Sequence, residues 1–127
     1  MTYTRRLFLA GLTALLVLPW LSAGPAAAHH GWRWAEDENF EITGIITEAK
    51  LGNPHGLLTL DVKGETWTAE VGQPWRNDRA GLTDAMLSPG KEVTIRGHRS
   101  KDPKERLIKA ERVIIGGKVH DLYPDRQ

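Results

Sequence analysis

Apolar and polar residues alternate over several short stretches of the chain. Leu58, Leu60 and Val62 alternate with Thr59 and Asp61, Trp67, Ala69 and Val71 with Thr68 and Glu70, and Val93 and Ile95 with Thr94 and Arg96. A period of two sends successive side chains to opposite faces, so each stretch predicts a strand with one buried side. Residues 40–49 are rich in β-branched residues and partly alternate, which predicts a first strand, with a bulge or sharp bend at Gly44. Residues 107–115 predict a fifth strand whose alternation breaks near Arg112, as a bulge would break it. Breaker residues separate these stretches: Gly52-Asn53-Pro54-His55-Gly56 forms a turn and Lys63-Gly64-Glu65 a tighter one. Residues 72–80, with Pro74, Asn77 and Asp78, read as a loop. Residues 83–87 suit one or two helical turns, stopped by Ser88-Pro89-Gly90. A charged loop covers residues 99–105, Gly116-Gly117 ends the fifth strand, and residues 124–127 read as a frayed tail.

Three meander strands, a short helix and two more strands predict a mainly β fold over residues 40–123. The expected architecture is a small five-stranded OB-like barrel with one short helix between strands three and four. A small open sandwich or an SH3-like barrel is the alternative, and the SH3-like barrel normally lacks that helix.

The start of the chain has a different pattern. Residues 7–21 form an apolar run after Arg5-Arg6, and residues 22–28 are small and end Ala26-Ala27-Ala28. A basic segment, a short apolar core and an Ala-x-Ala end predict an export signal over residues 1–28, cleaved after Ala28, with no stable membrane span afterwards. Thr4-Arg5-Arg6-Leu7-Phe8-Leu9 resembles a twin-arginine signal, and a general-secretion signal is the alternative. The expected location is periplasmic or secreted. Residues 29–39 then form an N-terminal arm.

Composition narrows the chemistry. Without Arg5 and Arg6, 15 basic residues stand against 16 acidic ones, which argues against nucleic acid as a partner. The acids Glu36, Asp37, Glu38, Glu41 and Glu48 come early. The bases Arg96, Arg99, Lys101, Lys104, Arg106, Lys109, Arg112 and Lys118 come late, and read as a solvated face pairing locally with acids. The absence of cysteine excludes disulfides, thiolate chemistry and cysteine-held metal clusters. There is no nucleophile elbow, phosphate loop or dinucleotide fingerprint, so the residues point away from an enzyme.

Histidine carries the remaining chemistry. Cleavage after Ala28 places His29 at the new N-terminus, followed by His30. A free amine and Nδ1 of the same histidine can chelate one metal ion, and copper(II) is the tightest divalent ion at nitrogen sites. His55, in the first turn, is the expected further ligand, completing a histidine brace. His30 offers a competing set of amine, amide and imidazole nitrogens. His98 and His120 read as surface or strand-end residues. In an extended arm Trp32 and Trp34 share a face with His30 and, with Asn53, make a candidate ligand face; core packing is the competing reading for both rings.

His29-His30-Gly31-Trp32, Gly44-Ile45-Ile46 and Asn53-Pro54-His55 resemble a family of small exported bacterial proteins of unknown function. The likeness continues through Trp67-Thr68-Ala69-Glu70, Pro74-Trp75, Gly81-Leu82 and Pro89-Gly90, and covers nearly all of residues 29–120. It implies export, a β domain, and membership of His29, His30 and His55 in one motif set. The functional expectation is an exported binding protein that holds copper through His29 with His55 or His30, for metal carriage or buffering. The alternative is a metal-free extracytoplasmic module for a peptide, glycan or periplasmic protein partner.

Overall fold

A computed structural model describes residues 31–126. The expected signal of residues 1–28, the candidate ligands His29 and His30, and Gln127 lie outside the described residues. Strands β1 (Phe40–Lys50), β2 (Leu57–Val62) and β3 (Glu65–Glu70) form an antiparallel meander. Helix α1 (Pro74–Arg79) and a 3-10 turn (Asp84–Leu87) follow, then β4 (Glu92–Arg99), β5 (Leu107–Ile115) and β6 (Lys118–Asp121). β1 also pairs with β4, and β4 with β5. A parallel pairing of Thr68, Ala69 and Glu70 with Leu107, Ile108 and Lys109 closes the sheet on itself. The result is the expected five-stranded OB-like barrel.

The alternating apolar positions fill its interior, with Ile46, Leu58, Leu60, Trp67, Ile95 and Ile108 all buried. Two departures from strict alternation shape the wall. In β1 the register against β2 slips between Ile46 and Glu48 rather than at Gly44. Gly44 serves close approach instead, since a β carbon there would press into the Asp61 carbonyl. In β5 the register slips across Glu111, beside the predicted Arg112, so that Arg96 faces Arg112 while Gly97 faces Ala110.

Three expectations change. The predicted loop at residues 72–80 contains α1, because Pro74 at the start of a helix needs no partner for its missing N–H. The connection between β3 and β4 therefore holds two short helical pieces. Gly116-Gly117 does not end the sheet: with φ of 57° and 79° they turn β5 into β6, which was not predicted. The tail is docked as far as Arg126, which donates from Nε to Glu111 Oε1 at 2.9 Å. Among the described residues, no helix is long and apolar enough to cross a membrane.

Candidate functional site

The barrel's outer wall should be wet, yet one patch of it is dry. In β5, Ile108 and Ala110 face the core, so Lys109 points outward, but Lys109 is only 1% exposed. Glu70, its register partner on β3, is 5% exposed. Lys109 Nζ donates to Glu70 Oε1 at 2.5 Å. A buried ammonium requires such a partner, because desolvation of an unpaired charge costs several kcal/mol.

The N-terminal arm covers this patch. Ala35 bridges to Ser100, Glu36 N–H donates to the Arg99 carbonyl at 2.8 Å, and Lys101 N–H donates to the Trp34 carbonyl at 2.9 Å. These main-chain bonds fix the arm across the end of β4. Trp34 is buried. The Trp32 ring, half-buried, has Arg126 at 3.9 Å and Lys109 at 4.9 Å from its centroid, both within cation–π range. Tyr123 and His98 meet the same ring edge-on at 5.0 and 5.7 Å. Arg76 lies over the Tyr123 ring at 4.1 Å and donates to the Leu122 carbonyl at 2.9 Å.

A second buried carboxylate completes the cluster. The β5 bulge puts Glu111 where His98 Nε2 donates to it at 2.7 Å and Arg126 at 2.9 Å. His98 Nδ1 lies 2.9 Å from the Glu38 carbonyl oxygen, a further contact between arm and wall. Burial pushes the Glu111 carboxyl up, but the hydrogen bonds and charges of Arg126 and His98 outweigh it and hold the group below its ordinary value of 4.5. Burial, aided by the Glu70 charge, raises the Tyr123 phenol above 10.0 against the opposing charges of Arg76 and Arg126.

The first turn reaches this cluster. His55 is half-buried, with Nδ1 at 3.7 Å from the same Glu70 Oε1 that receives Lys109. Its loop is tied to the end of β3 by Gly56 N–H to the Gly72 carbonyl at 3.1 Å and Val71 N–H to the Gly56 carbonyl at 2.8 Å. Asn77 on α1 clamps Gly72 from the other side, accepting its N–H at 3.0 Å and donating to its carbonyl at 3.1 Å. Asn53 is exposed, and its peptide bond to Pro54 is cis.

Of the sequence-predicted residues, Trp32 and His55 thus border one cluster, Trp34 is buried on the same arm, and His29 and His30 lie outside the described residues. His98 and His120 do sit at strand ends, each one residue from the end of β4 and β6, but they are not surface residues: they are 5% and 2% exposed. His98 is covered by the arm, and His120 donates from Nδ1 to the Ala80 carbonyl at 2.8 Å, under the turn that follows α1. Sequence reasoning missed Glu70, Lys109 and Glu111, because alternation alone assigns them to a wet face. Among the described residues no three His, Asp or Glu side chains are grouped to hold a metal.

The fold and site define an OB-like barrel with an ion cluster on its outer wall, sealed by the segment that leads into it. The chain belongs to a family of unknown function, DUF6152, whose model matches residues 19–109 and so includes His29, His30 and His55. No curated protein matches it. Similar solved structures include a ZRD-deleted mutant of TiaS in complex with agmatine, at 20% identity and a TM-score of 0.46. That match covers 61% of this chain and 21% of that one, so this chain spans about a fifth of TiaS. The S. pombe Stn1–Ten1 complex is similar at 20% identity and TM-score 0.48, over 61% of this chain and 57% of that chain. The OBody AM3L09 bound to hen egg-white lysozyme is similar at 12% identity and TM-score 0.46, over 69% and 84%.

Proposed function

We propose that this protein is exported to the periplasm or beyond, is processed after Ala28, and binds copper through the amine and imidazole of His29 together with His55. His30 is the competing ligand, and the role is carriage or buffering of the metal. One observation carries the reading. Trp32, third in the chain after His29, packs on the Lys109 ammonium, and that ammonium binds the carboxylate beside His55. Three residues of chain span at most about 11 Å, a short link between His29 and Trp32 that supports the reading without fixing where His29 lies. The nearly neutral processed chain favours a ligand other than nucleic acid.

The test is copper(II) titration of the processed protein. One equivalent should bind, and His29→Ala, or a single extra residue before His29, should weaken binding at least about tenfold, a loss of about 1.4 kcal/mol. Unchanged affinity in both variants would sink the proposal. It would favour instead the metal-free module for a peptide, glycan or partner protein, for which the 53% exposed Trp75 offers a contact surface.

A further inference from the structure

Glu70 and Lys109 form a buried ion pair on a wall that could have been apolar. Replacing such a pair by apolar residues of similar volume is often neutral or stabilising, so stability alone does not account for it. Its position is more informative. Strand register sets Glu70 between Leu57 of β2 and Lys109 of β5. His55 lies just before Leu57, on a loop held to β3 by the two Gly56 hydrogen bonds. A single oxygen, Glu70 Oε1, therefore meets Lys109 Nζ at 2.5 Å and His55 Nδ1 at 3.7 Å. A ring movement of under about 1 Å brings the second contact to hydrogen-bonding distance. A histidine held through one ring nitrogen by a fixed carboxylate has its tautomer and ring plane set, and offers the other nitrogen to a metal.

We infer that Glu70 is a positioning residue for His55, holding it by Nδ1 so that Nε2 is the copper ligand, and that Lys109 keeps Glu70 in place. The inference rests on the copper reading above. It also gives Lys109 a double task, because the same ammonium lies 4.9 Å from the Trp32 ring and so joins the arm to the His55 loop.

Pulsed electron paramagnetic resonance of the copper(II)-loaded, processed protein tests this. The nitrogen of a bound imidazole remote from the metal gives modulation frequencies that depend on its hydrogen bond. Both the His29 and the His55 rings contribute such frequencies, so His55→Ala should remove one of two sets, and the set it removes is the His55 signal. Glu70→Gln should shift that set and weaken copper binding about tenfold, at the low end of the effect of losing such a partner. Glu70→Asp should restore part of both. Because Glu70→Gln leaves Lys109 buried without its counter-charge, the double variant Glu70→Gln/Lys109→Met removes both charges and should show the same shift in a folded protein. If wild type binds copper with a His55 signal and neither charge-removing variant moves the frequencies or the affinity, the role of Glu70 is overturned and the copper reading stands. If wild type binds no copper, both fall.

Discussion

At the scale of single residues, Glu111 is where charge and burial oppose each other most directly. Its carboxyl is held below 4.5 by Arg126 and His98 despite burial. A carboxyl with a lowered folded value stabilises the protein above its unfolded value, and that contribution is lost as pH falls through the folded one. Wild type should therefore lose stability progressively below about pH 4.5. Glu111→Gln should be less stable by about 3 kcal/mol near neutrality, having left Arg126 and His98 without their acceptor charge, and should show a flatter acid limb. Urea unfolding across a pH series measures both, and parallel curves for the two proteins would contradict the assignment.

Among the elements, the pairing of β4 with β5 depends on one small residue. Gly97 sits opposite the Glu111 bulge, and a β carbon there would overlap the Lys109 carbonyl oxygen. Because the obstacle is backbone on a buried strand, Gly97→Ala should cost about 3 kcal/mol, read as a lower urea midpoint with an unchanged m-value. A change in m-value instead would point to a rearranged barrel. Most elements were legible because apolar alternation is a local signal: Leu58, Leu60, Trp67 and Ile95 all face inward as their spacing requires. The break near Arg112 was legible for the same reason. Helix α1 was not, because Pro74, Asn77 and Asp78 are turn formers in isolation. What fixes them as a helix includes the clamp of Asn77 on Gly72, a contact that a local pattern does not announce.

For the whole molecule, the arm decides what is buried. Trp32 gathers two cations and two further rings around one indole; a cation–π contact contributes about 0.5–1 kcal/mol for an exposed cation such as Arg126 and about 2 kcal/mol for a buried one such as Lys109. Trp32→Ala should therefore release the arm and leave the barrel folded. Hydrogen exchange should quicken at the Glu36 and Lys101 amides, which bond to Arg99 and Trp34 across that seam, and stay slow in β2 and β3. Equal acceleration throughout would mean that the arm is part of the global folding unit. The candidate site was half legible at this scale. His55 and Trp32 stood out by residue type and by motif, whereas Glu70, Lys109 and Glu111 look like ordinary surface charges until the arm is laid over them.

The pairing of Glu70 with Lys109 also constrains how this protein can change through descent. A mutation that removes Lys109 leaves Glu70 as a buried anion without its partner, and one that removes Glu70 strands the ammonium. Single-step replacement of either is therefore penalised, whereas joint replacement by apolar residues is tolerated by the fold. If Glu70 serves only packing, lineages should exist in which both charges have been lost together while His55 persists. If it orients His55, loss of the pair and loss of the histidine should travel together, so a comparison of relatives can separate structural inheritance from functional constraint.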